Sequence, residues 1–380
     1  GACEAILHVM KFHELSSGVG AWGCRAISNL AINNIDYRVV LGTAGACDVV
    51  MATLNYHYEV PRAAEEACRA ICALALFQEN KNKFEELKVQ NSVVRAMRTH
   101  VNISGVIHQG CRAVCTLSNN DTQCTAKFGV VGACEAVVDG LTDSLTVPAI
   151  AEMGCGAINC LAANESNRSK LGGAGACDVV LTALKLHIGT ASIAEMACFG
   201  IKNLAVDDEN RTKLGTIGAC ELVVDMLKTH LSNATLAESG CRAISNLASI
   251  NTENKWRFGG ANACDLVVSS LRLHIANAEA TEAACWTCAN LADNNTPNSA
   301  QMSSRGACEL IVEALRRHES VSGVAEACCT ALFILSCHSN NKERLMASAA
   351  KDLIFRVVDD ERLSASSRNL ARGVLDNMTR

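Results

Sequence analysis

Apolar positions along the chain follow the spacing of an α-helix, and the same arrangement returns many times. In residues 220–230 the apolar side chains lie three and four positions apart, which places them on one face of a helix. A second stretch with this spacing runs to residue 248, and a short segment, 255–258, follows a break rich in Asn and Thr. The pattern therefore predicts a repeating unit of one short and two longer α-helices.

Polar residues predict the ends of these helices. Thr235 with Glu238, and Ser192 with Glu195, have the spacing of a capping box at a helix N-terminus. His230 lies at the predicted end of its helix, where a basic residue is favourable. We therefore expect the last helix of these two repeats to be capped by Thr235 and Ser192.

A recurring marker indicates the length of the repeat. Gly-Ala-Cys followed by Glu or Asp begins at Gly1, Gly45, Gly132, Gly175, Gly218 and Gly306. With three degenerate copies included, successive markers are 43 or 44 residues apart and define nine repeats without a linker. One repeat cannot bury its apolar face alone, so neighbouring repeats are expected to stack into a solenoid.

The predicted architecture is all-α, with a single solenoid over residues 1–380. The first repeat lacks its short helix, and residues 349–380 are polar enough to form a C-terminal cap. Because the chain begins in the middle of a repeat, we expect it to be a fragment of a longer protein.

Composition fits closely packed helices. Hydrophobic residues make up 49% of the 380 residues, yet aromatic residues make up only 4% and there are three prolines. The net charge of −5 is unlike that of a general nucleic-acid-binding protein, which is usually basic. No apolar run reaches the length of a membrane span. We expect neither a nucleic-acid partner nor membrane insertion.

Most of the 22 cysteines recur at two positions of the repeat, among Ala, Gly and Val. A thiol in such surroundings behaves as a small hydrophobic side chain. This spacing is unlike that of a disulfide scaffold, so we expect a reducing, intracellular location, in the cytoplasm or nucleus.

The most regular motif closes the repeat. Residues 240–248 read Gly-Cys-Arg-Ala-Ile-Ser-Asn-Leu-Ala, and residues 23–31 are the same. A three-helix unit of this length, with Gly-Ala before its second helix and Leu/Ile-x-Asn-Leu-Ala near its end, resembles the armadillo repeat of importin-alpha and beta-catenin. HEAT repeats are the nearest alternative, but the glycine and the short first helix favour armadillo. The resemblance implies a right-handed superhelix whose third helices line a concave groove that binds partners.

In importin-alpha-like members the third helix carries Trp-Ala-Leu-x-Asn-Ile-Ala. There the Asn holds the main chain of an extended peptide, and the Trp packs against basic side-chain stems. The matching positions here are Phe199, Asn203, Arg242, Asn246, Trp286 and Asn290, with Asn29 in the first repeat. An amide can pair with a peptide C=O and N–H at once, so three asparagines in consecutive repeats predict a peptide groove. Alternatively, each Asn bonds a neighbouring third helix or a loop carbonyl.

In other repeats the aromatic position of that motif is an arginine, at Arg25, Arg69, Arg112 and Arg242. Guanidinium groups in a groove fit carboxylate or phosphate, so the N-terminal half would take an acidic or phosphorylated segment. Repeats 5, 7 and 8 carry a Glu four positions earlier without such an arginine, and there a basic segment is expected. The alternative is that Glu65–Arg69 and Glu238–Arg242 neutralise each other as surface pairs.

Histidines also recur, at His13, His57, His100, His187, His230, His274 and His318. A histidine series can bind metal or sense pH, but histidines a full repeat apart cannot share one ion. We favour helix-end residues that satisfy carbonyls. Cys285 and Cys288 form a CxxC pair without a second pair at zinc spacing, and no phosphate loop or nucleophile elbow occurs. We therefore predict no enzyme activity, no metal and no cofactor.

The function that these patterns favour is a protein-interaction scaffold that binds a peptide segment of a partner along the third-helix groove. Three alternatives stay open. They are a regulatory or localising module of a larger enzyme or signalling protein, a small-molecule sensor, and a purely structural or designed repeat protein.

Overall fold

The computed structural model describes residues 1–347 and 350–379, and within them the chain forms 26 α-helices. Contacts between helices divide the chain into an N-terminal half, Gly1–His187, and a C-terminal half, Ile188–Arg380. The first repeat contributes two helices, and each of the following eight contributes one short and two longer helices. The predicted all-α repeat architecture is therefore confirmed, whereas a single domain over all nine repeats stays a prediction.

The N-terminal half contains thirteen helices. They are α1 (Ala2–Phe12), α2 (Ser17–Ala31), α3 (Ile35–Thr43), α4 (Ala46–Tyr56), α5 (Pro61–Leu74), α6 (Gln78–Glu86), α7 (Val89–Thr99), α8 (Ser104–Ser118), α9 (Thr122–Val130), α10 (Ala133–Thr142), α11 (Pro148–Leu161), α12 (Glu165–Ala174) and α13 (Ala176–Leu186). The third helices α2, α5, α8 and α11 pack side by side.

The C-terminal half continues the same order. Its helices are α14 (Ala191–Leu204), α15 (Asp208–Thr216), α16 (Ala219–Thr229), α17 (Ala234–Ala248), α18 (Thr252–Gly260), α19 (Ala263–His274), α20 (Ala278–Ala292), α21 (Thr296–Ser304), α22 (Ala307–Arg317), α23 (Ser322–Ser336), α24 (Ser339–Ala347), α25 (Ala350–Asp359) and α26 (Ala365–Thr379). Here the third helices α14, α17, α20, α23 and α26 pack in sequence.

The marker before each second helix is a backbone requirement. Gly218 precedes α16 with φ of 94°, in the left-handed region that glycine adopts without strain. Asn262 and Lys88 take the same position in two other repeats, with φ of 61° and 56°. Asparagine tolerates this region better than other residues with a side chain, so Lys88 is the least favourable of the three.

The third helices are capped differently from the prediction. In repeat 6 the N-cap of α17 is Asn233, whose Oδ1 accepts from the N–H groups of Thr235 and Leu236. In repeat 5 the N-cap of α14 is Thr190, without a side-chain cap bond. The predicted capping boxes at Thr235 and Ser192 are therefore wrong, because both helices begin earlier than these residues.

Buried asparagines join successive short helices. Within each half they are Asn80, Asn167, Asn254, Asn298 and Asn341. Nδ2 of Asn254 donates to the main-chain oxygens of Arg211, at 3.3 Å, and of Leu247, at 2.9 Å. The amide of Asn254 thus satisfies one carbonyl of α15, the short helix of the preceding repeat, and one carbonyl of α17, the third helix of that repeat. These buried asparagines therefore have a structural role.

Cysteines fill the core as the repeat pattern predicted. Cys241 is fully buried on α17, and so are Leu236 and Ile244 of the same helix. The equivalent cysteines on the other third helices are also buried. All 22 cysteines lie in the described residues as free thiols, and most are buried. Their number follows from the repetition of two small core positions.

Candidate functional site

A groove crosses three consecutive third helices, α14, α17 and α20, in the C-terminal half. It has a volume of about 630 Å³. Its lining residues are Phe199, Lys202, Glu238, Arg242, Ser245, Asn246, Ala283, Trp286 and Asn290. We call this the C-terminal groove. Five of its nine residues were predicted as binding residues, and the fold brings them together because third helices of neighbouring repeats lie side by side.

The predicted asparagines have partners inside the protein. Nδ2 of Asn246 donates to the main-chain oxygen of Lys202 at 2.8 Å. Nδ2 of Asn290 donates to the main-chain oxygen of Ser245 at 3.1 Å and to its Oγ at 2.7 Å. Both amides therefore join neighbouring third helices, as the alternative interpretation stated. Asn203 lies on α14 but is not among the lining residues.

Arg242 is held by two carboxylates. Its Nε lies 2.9 Å from Oε1 of Glu238 on the same helix, and its Nη2 lies 3.7 Å from Oε1 of Glu282 on α20. The structure thus contains the Glu238–Arg242 surface pair that the sequence offered as an alternative. The expectation that Glu282 has no arginine is wrong, because Arg242 reaches it from the preceding repeat.

Lys202 was not predicted, and it adds a second cation to the C-terminal groove. Its Nζ lies 5.1 Å from the centre of the Phe199 ring. Burial, followed by the positive charge of Arg242, lowers the pKa of Lys202, and Glu238 opposes this shift. In the sequence, the one indication of this role is that Lys202 directly precedes Asn203, the asparagine of the motif.

Glu195 lies on α14, the helix that also carries Lys202. Unlike Glu238 and Glu282, Glu195 is not in contact with Arg242. Burial and the neighbouring charge of Glu238 raise the pKa of Glu195. No ion pair to Glu195 occurs within the described residues. It lies seven residues before Lys202 on α14, so the two charges are about 10 Å apart along the helix axis.

The predicted arginines of the N-terminal half form a partly neutralised row. Glu66 is buried and lies 3.3 Å from Nη1 of Arg25 and 3.0 Å from Nε of Arg69. Arg69 also contacts Glu65, at 2.9 Å, which is the predicted surface pair. Two of the three guanidinium groups are therefore already matched by carboxylates.

Arg112 is the exception in this row. It is half-buried on α8, and the described residues place no carboxylate within 4.0 Å of it. The positive charges of Arg112 and Arg69, after burial, lower the pKa of His108 on the same helix. Among these three arginines, Arg112 is thus the one whose charge is not neutralised by a carboxylate of the described residues, which leaves it available to an anionic ligand.

The first repeat presents an exposed tryptophan beside this row. The guanidinium carbon of Arg62 lies 4.0 Å from the centre of a Trp22 ring, and that of Arg25 lies 5.7 Å away. Asn29 is exposed on the same helix, α2. Because Asn29 belongs to the N-terminal half, it is not part of the C-terminal groove.

Both cysteines of the CxxC pair, Cys285 and Cys288, are fully buried on α20. Sγ of Cys285 lies 3.6 Å from Sγ of Cys328 on the next third helix, and burial strongly raises the pKa of Cys288. Within residues 1–347 and 350–379, no group of three or more His, Cys, Asp or Glu side chains is placed to hold a metal ion.

In the same residues no single helix is long and apolar enough to cross a membrane. The pair α3 and α4 together reach that length and hydropathy but bend by 75°.

Comparison with known proteins identifies the fold. No family model matches the chain, and no curated protein sequence matches it. An engineered protein of known crystal structure matches with a TM-score of 0.73 and 16% identity, over 100% of this chain and 99% of its own. A structure concerning a phosphorylation switch in the interaction between cadherin and beta-catenin also has a TM-score of 0.73, with 17% identity, over 98% of this chain and 68% of its own.

A designed armadillo repeat protein matches a part of the chain. Its TM-score is 0.57 at 19% identity, over 64% of this chain and 99% of its own. At identities this low the likeness concerns the fold, and the chain has the α-solenoid fold of armadillo-repeat proteins. The predicted resemblance is therefore confirmed at the level of the fold.

Proposed function

We propose that this chain, an α-solenoid with the armadillo-repeat fold, is a non-enzymatic interaction scaffold that binds an extended segment of a partner protein. The observation that supports the proposal is the C-terminal groove, in which side chains from three consecutive repeats surround about 630 Å³. A groove that runs across the third helices of successive repeats suits an extended peptide better than a compact molecule.

The asparagines would hold the peptide main chain with the groups that the fold leaves available. Each amide has two N–H groups and an oxygen, and the bonds of Asn246 and Asn290 to neighbouring helices involve Nδ2 only. The amide oxygen can then accept from a peptide N–H. Those internal bonds also hold the amides in one orientation, which lowers the entropy cost of binding. Asn203 is proposed as the third member.

Aromatic side chains would supply the apolar contact. Trp286 and Phe199 are half-buried on α20 and α14, and tryptophan in a partly desolvated groove is a frequent source of binding energy. A basic side chain of the ligand is proposed to pair with Glu195, since Arg242 already neutralises Glu238 and Glu282.

In the N-terminal half we propose an acidic or phosphorylated ligand segment. Arg112, with no carboxylate partner among the described residues, would bind it most strongly, and Arg69 and Arg25 would contribute less because Glu65 and Glu66 neutralise them. We also propose a reducing compartment, the cytoplasm or nucleus, because the cysteines are core residues rather than disulfide partners.

The test is selection of phage-displayed random peptides against the wild type, Trp286→Ala and Trp256→Ala. Trp256 is a matched control, since it is 53% exposed on α18 and does not line the groove. We expect the wild type and Trp256→Ala to select the same peptides and Trp286→Ala to lose them, with all three proteins melting cooperatively. Selection of the same peptides by all three proteins would contradict the C-terminal groove as the binding site.

A further inference from the structure

Lys202 is the cation of the C-terminal groove that has no internal counter-ion. It lines the groove and is half-buried against the ring of Phe199, 5.1 Å from its centre. Within the described residues no carboxylate lies within 4.0 Å of its Nζ. Because Lys202 is half-buried and its ammonium group has no carboxylate partner there, an anion that enters the groove would gain a charge-assisted hydrogen bond from it.

Two of the nearby carboxylates, Glu238 and Glu282, are paired with Arg242. Glu238 lies 2.9 Å from Nε of Arg242, and Glu282 lies 3.7 Å from its Nη2. Burial, and after it the positive charge of Arg242, lowers the pKa of Lys202, while the negative charge of Glu238 opposes this shift. A bound anion would relieve this repulsion as well as supply a partner to Lys202.

A second donor lines the same groove. The indole N–H of Trp286 has no hydrogen-bond acceptor in the part of the chain that the structure describes, and the tryptophan is one of the lining residues. Indole nitrogen only donates, so it suits an oxygen anion and not a cation. An ammonium group and an indole N–H in one groove both select for the same kind of ligand group.

We propose that Lys202 makes the C-terminal groove select an anionic side chain of the bound peptide, either the carboxylate of Asp or Glu or a phosphorylated hydroxyl. This inference rests on the proposed peptide-binding function and adds a charge preference to it. It runs against the importin-alpha-like pattern, in which the groove accepts basic side chains. The basic position proposed at Glu195 is separate, because it lies about 10 Å away along α14.

The side chain of Lys202 can be changed without breaking the bond that joins α14 to α17. Asn246 donates to the main-chain oxygen of residue 202, and that bond does not depend on the side chain. Lys202→Gln removes the charge, and Lys202→Glu reverses it. Lys228→Glu makes the same reversal at an exposed residue of α16 outside the groove, and is the matched control.

The experiment selects phage-displayed random peptides against the wild type, Lys202→Glu and Lys228→Glu. We expect the wild type and Lys228→Glu to enrich Asp or Glu at one peptide position, and Lys202→Glu to enrich Lys or Arg there. One peptide selected on the wild type is then measured against Lys202→Gln, where its affinity should fall about tenfold, as for the loss of one charge-assisted hydrogen bond.

The same peptide is also made with phosphoserine at the acidic position. Tighter binding than the Glu peptide assigns a phosphorylated ligand, and equal or weaker binding assigns a carboxylate. Peptides without an acidic preference, or with one that Lys202→Glu does not alter, overturn the role of Lys202 while leaving the scaffold function intact. Failure to select any peptide overturns the scaffold function and this inference with it.

Discussion

The Nε2 atom of His230, at the end of α16, lies 2.6 Å from the main-chain oxygen of Ile188 in the preceding repeat. The same contact occurs, at 2.7 to 2.8 Å, in five further repeats, for His57, His100, His187, His274 and His318. The prediction that these histidines satisfy carbonyls is confirmed, with the addition that each carbonyl belongs to the repeat before. The side chains of these histidines thus link each repeat to the main chain of the repeat before it.

We expect His230→Ala to lower the free energy of unfolding by about 1–3 kcal/mol, because the carbonyl of Ile188 loses its partner at a part-buried position. The measurement is urea denaturation followed by circular dichroism. His13→Ala is the matched control, since His13 ends α1 in the first repeat, is exposed and makes no such bond among the described residues. Equal losses in the two variants would contradict the role assigned to the inter-repeat bond.

A second prediction concerns a close approach between two short helices. A Cβ atom added at Gly215 on α15 would collide with the side-chain amide of Asn254 on α18. Alanine is the better helix former by about 1 kcal/mol, so propensity alone predicts that Gly215→Ala stabilises the protein. We expect the opposite, because the displaced Asn254 would lose its bonds to Arg211 and Leu247.

Gly260 provides the comparison for that substitution. It ends α18, and a Cβ added there meets no atom within 4 Å. Gly260→Ala should be neutral or stabilising by up to about 1 kcal/mol, whereas Gly215→Ala should lower the melting temperature. If Gly215→Ala melts higher than the wild type, the close packing of Gly215 on Asn254 is not a constraint.

A third prediction follows from the raised pKa of Glu195. An unfolded glutamate ionises at about 4.5, the ordinary value, so between that pH and its folded pKa the native state binds more protons than the unfolded state. Stability from this group is therefore lost as pH rises through this window. Glu195→Gln should match the wild type at low pH and be slightly more stable at neutral pH.

The effect is expected to be small, about tenths of a kcal/mol, because Glu195 is only half-buried and solvent screens its charge. Melting temperatures of both proteins across the acidic range provide the measurement. A difference that grows toward low pH has the wrong sign and would refute the account.

The fourth prediction concerns thiol reactivity. Burial raises the pKa of Cys241 to about 12, as it does for Cys24, Cys111 and Cys155. An alkylating reagent attacks the thiolate, so these core cysteines should stay unmodified in the native protein at neutral pH. Cys337 is exposed and should react first.

Mass spectrometry of briefly alkylated native protein locates the modified residues, and a sample unfolded in guanidinium shows the full reactivity of all 22 cysteines. Rapid native labelling at Cys241 would mean that the third-helix core opens, and would contradict its close packing.

The repeat boundaries and the core were readable from the sequence because they depend on local periodicity. Cys241 and Ile244 recur at helical spacing in repeat after repeat, and both are fully buried. The N-caps were less readable. Thr235 has the right spacing for a capping box, but Asn233 comes earlier and takes the orphan N–H groups, a competition between neighbouring residues that the motif does not resolve.

The repeat motif predicted five of the nine residues that line the C-terminal groove, but not Lys202. Its period placed Phe199, Arg242 and Trp286 at equivalent positions, and the fold brings them to one groove. The motif did not indicate Lys202, since a lysine in the variable position of one helix is unremarkable until the neighbouring helices pack against it.

The amino-acid sequence therefore determined the repeat length, the helix order and the buried positions, because each depends on spacing within one chain segment. Packing between repeats decided which charges neutralise each other: Arg242 on α17 reaches Glu282 on the adjacent α20, while Lys202 stays without a carboxylate partner in the described residues. Ion pairing depends on distances of a few ångströms between residues about forty positions apart, and only the folded arrangement of the helices sets those distances.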